Sequence, residues 1–184
     1  MTNRLKGKRV AILVTDGFKQ VEMTKPRKAL DEAGAVTTLV SPKSGEVQGW
    51  NHDEKGDRFH VDLELKSADA NNFDALLLPG GVANPDRLRI IPEAVKFAKR
   101  FFAAHKPIAA ICHGPWLLVE ADVVRGYKTT SWPSLKTDLT NAGAKWTDTP
   151  VVVDRGLITS RKPDDIPSFN ERMIEEFSHQ HVHA

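Results

Sequence analysis

The 184-residue sequence predicts an α/β fold, a flavodoxin-like three-layer α/β/α sandwich around a mostly parallel sheet. Three observations predict it. Apolar runs at 10–14, 36–40, 75–78 and 108–111 are too continuous for half-exposed strands and suit strands buried on both faces. Stretches of helical periodicity separate them. The residues able to do chemistry cluster just after the runs, at the strand ends where open parallel sheets bind ligands.

Each element has its own warrant. The first run is followed by a helix over 26–33, opened by Pro26 and closed before Gly34, and then by the strand at 36–40. The polar segment 43–57 is expected as a surface insertion. After the strand at 75–78, a helix over 92–104 begins at Pro92 and carries Val95, Phe97, Phe101 and Phe102 among Lys and Arg. The strand at 108–111 leads to a helix over 115–121, a short strand at 129–131 and a helix over 134–142 ending at Gly143. Residues 151–153 and 157–159 form a strand pair around a tight turn at Asp154-Arg155-Gly156, and an amphipathic helix over 166–177 packs back on the sheet. One domain over 1–184 is expected, with a core at about 8–177 and a tail at 178–184.

Composition narrows the function. Lys plus Arg number 26 against 24 Asp plus Glu, and a net charge of +2 argues against nucleic-acid or bilayer binding through bulk charge. The four tryptophans, Trp50, Trp116, Trp132 and Trp146, are scattered rather than interleaved with basic clusters. Trp116, next to the cysteine, is expected to wall a pocket. The single cysteine forms no internal disulfide and is best kept reduced, which points to a cytoplasmic protein. The short apolar run after a polar N-terminus is no export signal, and no run reaches the ~18 apolar residues of a membrane span. His179, His181 and His183 alternate at the C-terminus as a frayed tail, so no metal and no cofactor are assigned.

The lone cysteine sits in Ala110-Ile111-Cys112-His113-Gly114, the small-x-nucleophile-x-small layout of a nucleophile elbow. A thiol there faces the N-terminus of the next helix, which is expected to lower its pKa. The bland alternative is a buried core cysteine. His113 is either a base beside the thiol or a loop histidine. Glu22 follows the first strand by about one turn; it is either a protonated donor to a Cys112 thiolate or a helix-end charge. Gly80 and Gly81 close the third strand and offer amides to an oxyanion. Asp86 lies in Asn84-Pro85-Asp86, also an ordinary turn sequence.

Together, Asp16-Gly17-Phe18-x-x-Val21-Glu22, Asp74 to Gly81, Ala110 to Pro115 and Thr159-Ser160-Arg161-x-Pro163-Asp164-Asp165 resemble the ThiJ/PfpI family, and more specifically its PfpI-type branch. The resemblance implies a flavodoxin-like fold of the class I glutamine amidotransferase type and a homodimer or higher homo-oligomer. It also implies a site of Cys112, Glu22 and His113, with Asp86 supplied by the neighbouring subunit to orient the histidine. The implied activities are glyoxalase III-like or deglycase-like action on small carbonyl compounds or damaged proteins, or an intracellular cysteine peptidase. A reading of another class is a cysteine redox sensor or chaperone with little turnover. Two positions depart from the branch. Lys19 replaces an acid, which implies a changed local or interface charge pair rather than changed core chemistry, and Tyr127 replaces an arginine.

Overall fold

The computed structural model describes residues 3–179. β1 (Arg9–Leu13) is followed by a short β2 (Phe18–Lys19) that runs straight into α1 (Gln20–Glu32). Next come β3 (Val36–Ser41), the paired strands β4 (Glu46–Asn51) and β5 (Glu54–His60), and the short β6 (Leu63–Glu64). The middle of the chain holds β7 (Ala75–Leu78), α2 (Ala83–Leu88), α3 (Pro92–Ala103), β8 (Ile108–Ile111) and α4 (Pro115–Glu120). It ends with β9 (Lys128–Thr129), α5 (Lys136–Asn141), β10 (Lys145–Trp146), β11 (Val151–Asp154), β12 (Leu157–Ser160) and α6 (Ile166–Ser178).

Seven strands form the central sheet in the order β11-β12-β8-β7-β1-β3-β6. All neighbours are parallel except β11 and β12, so β1, β3, β7, β8 and β12 deliver their carboxyl ends to one rim. The apolar runs are continuous because each strand feeds two cores. Val10 and Ile12 pack with Met23, Leu30, Phe169 and Met173 of α1 and α6. Ala11 and Leu13 face the other way, toward Phe97, Phe101 and Leu118 of α3 and α4. Phe101 and Phe169 are fully buried, and truncating either to alanine costs about 3–5 kcal/mol.

Several boundaries differ from those the sequence suggests. α1 starts at Gln20, and Pro26 sits inside it. Met23, Pro26 and Leu30 form one buried stripe at helical spacing, so packing carries the helix a turn and a half upstream of the proline that resembles a start. The expected strand at 129–131 is β9, Lys128–Thr129, paired with β10. The expected helix at 134–142 opens as a 3₁₀ turn over Pro133–Leu135 before α5. The β11–β12 turn is as predicted, since Arg155 and Gly156 both take positive φ (49° and 84°), as a two-residue type I′ turn requires.

The segment 43–57 is a surface insertion that is also ordered: β4 and β5 pair antiparallel, and β4 also pairs in parallel with β2 at Phe18–Gly49 and Lys19–Trp50. Phe18 meets Phe59 at 5.7 Å between ring centroids. Gln20 ties the hairpin to α1, accepting from the Asp57 amide at 2.7 Å and donating to Asp57 Oδ2 at 2.9 Å. The hairpin therefore stands over the carboxyl end of β1. Among the described residues, no helix is long and apolar enough to cross a membrane.

Candidate active site

The rim holds a cleft of about 730 Å³ with Cys112 and His113 at its floor. Cys112 follows β8 with φ of +62°, a left-handed conformation that costs a non-glycine residue about 1–3 kcal/mol. Main-chain bonds hold it there. The Cys112 amide donates to Ser160 O and the Trp132 amide donates to Cys112 O, both at 3.0 Å, while the Gly114 amide donates to Ile111 O at 2.9 Å. The small flanking residue is required, because a Cβ on Gly114 would lie 2.6 Å from Leu78 O. The elbow read from the sequence is the backbone that forms.

Gly80 supplies the other close approach. A Cβ there would lie 2.5 Å from Glu22 Oε1 and 2.7 Å from Cys112 Cβ, so the carboxyl and the thiol converge on the space a side chain would fill. Glu22 is fully buried in the first turn of α1. Its Oε1 accepts from the Gly80 amide at 3.1 Å, and its Oε2 is buried with no hydrogen-bond partner among the described residues. The Gly80 amide is thus occupied. The amides beside the sulfur are those of Gly81 and of His113, and the latter, following the cysteine, is a donor that the sequence argument did not name.

His113 does point at the thiol, with Nδ1 3.3 Å from Sγ. Its Nε2 lies 3.4 Å from Ser134 Oγ, and its ring stacks on Trp132 and meets Trp116 edge-on. Trp132 and Trp50 line the cleft. Trp116 backs the histidine instead, because its position on α4 turns its indole N–H to Asp138 at 2.8 Å. Asn84 is a further residue the sequence did not signal. Fully buried, it accepts from the Thr15 amide at 2.8 Å and donates to the Pro79 and Gly80 carbonyls, tying the ends of β1 and β7 together.

Burial sets the charges. It lifts the Glu22 carboxyl to about 7, against the Lys19 charge, the Cys112 thiol and the Gly80 and Gly81 amides, all of which lower it. It also pushes the Cys112 thiol up, with the Glu22 charge adding to the rise and the Gly81 and His113 amides and Lys19 opposing it. Burial, then the Lys19 charge, holds His113 down at about 4, so its ring is neutral. The coupling is unequal: an ionised Glu22 raises the thiol, whereas the thiol, as a hydrogen-bond donor, lowers Glu22. The expected order is reversed: Glu22 ionises before the thiol, around neutral pH, and the thiol keeps its proton. The sulfur is nearly out of water, and α4, only six residues long, does not offset that loss.

Asp86 is exposed on α2 and makes no contact with His113 within one chain. Lys19 lies in the cleft rather than in a peripheral charge pair. Tyr127 carries Arg155 over its ring at 4.0 Å. His179 lies 3.6 Å from Glu176, while His181 and His183 fall outside the described residues.

A doubly wound sheet with a strained cysteine, a buried carboxyl and a neutral histidine gathered at one rim defines a cysteine-centred α/β protein. The comparisons with known proteins name the class: the DJ-1/PfpI family model matches residues 8–176, and the chain belongs to that family. It is 41% identical over 167 residues to YraA of Bacillus subtilis, which bears a provisional cysteine-protease name, covering 91% of this chain and 96% of that one. It is also 41% identical over 167 residues to a Pyrococcus abyssi protein named a deglycase, covering 91% and 98%. General stress protein 18 of Bacillus subtilis is 41% identical over 170 residues, covering 91% and 96%. Among solved structures, the chain matches a two-domain Anabaena variabilis protein with a DJ-1/ThiJ/PfpI-like and a ferritin-like domain. There the TM-score is 0.88 and the identity 32%, over 94% of this chain and 48% of that longer one. Drosophila melanogaster DJ-1beta matches with TM-score 0.84 and 26% identity, over 98% and 92%.

Proposed function

We propose that this protein is a cytosolic enzyme in which Cys112 adds to reactive carbonyls, in the manner of a glyoxalase III or deglycase. The observation that carries the proposal is the convergence of the buried Glu22 carboxyl and Cys112 on Gly80 at the cleft floor, where burial lifts Glu22 to about 7. A base of that pKa is matched to neutral pH. With a dicarbonyl such as methylglyoxal, Glu22 takes the thiol proton as sulfur bonds to the aldehyde carbon. The carbonyl π pair moves onto oxygen, beside the Gly81 and His113 amides. After that oxygen is protonated, transfer of the C1 proton to C2 through an enediol turns the hemithioacetal into a thioester of lactate. Water then cleaves the thioester, releasing lactate and restoring the thiol. One dicarbonyl and one water become one hydroxy acid, with no outside oxidant.

The peptidase alternative fits less well. Cleaving an amide requires protonating the leaving amine, and His113, neutral with a pKa of about 4, is a poor donor for it. The assembly in this proposal is a homodimer or larger oligomer in which Asp86, exposed on α2, reaches a neighbour's histidine. The test compares wild type with Cys112→Ser for methylglyoxal consumption, with lactate identified as the product. Lactate from wild type alone is the expected result. If wild type produces none while Cys112 oxidises to sulfinate under peroxide, the redox-sensor reading takes its place.

A further inference from the structure

The charges lining the cleft are one-sided. Asp16 faces Lys19, Lys43, Lys55, Arg58 and Arg87. Some of this charge is already matched: Lys43 pairs with Asp16 at 2.6 Å, and Arg58 with Glu46 at 3.1 Å. Arg87 donates to the Asp16 carbonyl at 2.9 Å. Lys19 and Lys55 have no carboxylate partner among the described residues, and Lys19 is the deeper of the two.

Lys19 is half-buried at the N-cap of α1. Its amide donates to Gly80 O at 3.3 Å, and a Cβ on Gly81 would lie 2.7 Å from that same amide nitrogen. β2 pairs with β4 at this residue, so the hairpin fixes it over the cleft floor. Its charge acts on Cys112, His113 and Glu22 alike. Glu22 feels this charge but makes no ion pair with Lys19 among the described residues, and its Oε1 is held by the Gly80 amide.

We propose that Lys19 makes the floor of this cleft a recognition point for an anionic group, so that the carbonyl compounds Cys112 acts on carry a carboxylate or a phosphate beside the reacting carbon. This rests on the carbonyl-enzyme proposal above for what the substrate does, but not for its charge. A neutral dicarbonyl would leave Lys19 without an anion in contact. An anionic one would place its charge against Lys19 and its carbonyl against the sulfur.

Alkylation of Cys112 tests the charge preference without any turnover. Iodoacetate is anionic and iodoacetamide neutral, and the ratio of their rates cancels any change in the thiolate fraction. In K19Q the iodoacetate-to-iodoacetamide ratio should fall about 3- to 10-fold relative to wild type, as expected for losing one nearby cation in a partly screened cleft. K19R should keep the ratio, and so should K99Q, which removes an exposed charge on α3. Protection of Cys112 against iodoacetamide by glyoxylate and by glyceraldehyde phosphate separates carboxylate from phosphate; whichever protects better should lose that advantage in K19Q. A ratio in K19Q that falls less than about threefold, in protein with an unchanged circular dichroism spectrum, overturns the proposal. If the ratio falls as expected but no carbonyl compound is turned over, the anion preference stands and the enzyme proposal fails.

Discussion

Glu22 and Cys112 face one another as coupled buried acids, and this is the level at which the proposed chemistry is decided. Because the Glu22 charge raises the thiol pKa, Glu22→Gln should lower that pKa, as read by the ultraviolet absorbance of the thiolate. The same substitution removes the proton acceptor, so methylglyoxal turnover should fall by about 100-fold or more. A more acidic thiol paired with a slower enzyme is a signature that a purely structural carboxylate would not give. Unchanged turnover in Glu22→Gln would defeat the base assignment. The pairing was legible in the sequence only as a possibility. Local motifs place Cys112 at a strand end and Glu22 one turn after another, but which of the two keeps the proton depends on how deeply both are buried.

At the level of elements, close approach between turns shapes the site. Gly80, between β7 and α2, leaves room for both Glu22 and Cys112. Gly80→Ala would drive a methyl into Glu22 Oε1, Cys112 Cβ and Ile111 O, the last of which is main chain. A loss of about 1–3 kcal/mol or more is expected from overpacking, measured as a shift in the urea midpoint. Gly126, whose φ is +81° with nothing within 4 Å of an added Cβ, makes the control. Gly126→Ala should cost only the conformational term of about 1–2 kcal/mol and leave Cys112 alkylation unchanged. Equal alkylation rates in both variants would show that Gly80 does not shape the site. The hairpin of β4 and β5 was the element least legible beforehand. Its polar, weakly patterned sequence reads as loop, and its fixed position comes from pairing with β2 and from Gln20, both remote in sequence.

For the molecule as a whole, two buried groups couple stability to pH with opposite signs. Glu22 is raised from 4.5 to about 7, so the folded protein holds its proton longer than the unfolded chain does. Its stabilisation is complete below pH 4.5 and is lost as pH rises through 7. His113 is lowered from 6.5 to about 4, so its contribution is present above 6.5 and lost as pH falls through 4. Each term amounts to up to about 3 kcal/mol. Between pH 4.5 and 6.5 they oppose one another, and the wild-type profile should be nearly flat. Glu22→Gln should therefore gain stability with rising pH, and His113→Gln should lose it, in denaturant titrations across that range. Parallel profiles for the two variants would contradict the assigned charge states. Assembly belongs to the same scale: Asp86→Ala should keep its fold and lose activity, and wild-type activity should fall on dilution below the dimer dissociation constant. A fully active monomer would remove Asp86 from the site.

The parts of this protein that its sequence determined by itself are those carried by local pattern. Continuous apolar runs specify strands buried on two faces, Pro92 and Pro115 open their helices although Pro26 does not, and small residues either side of Cys112 permit a turn that only a strained backbone makes. These are short-range rules, satisfied within a few residues. The tertiary structure alone decided the rest. It brought Glu22 against Cys112 across 90 residues of chain, gave the Gly80 amide to Glu22, turned Trp132 rather than Trp116 into the cleft, and set Lys19 in the same cleft as the thiol. Desolvation decides the pKa values, and desolvation is a property of packed neighbours from distant segments; no run of residues read in isolation contains it.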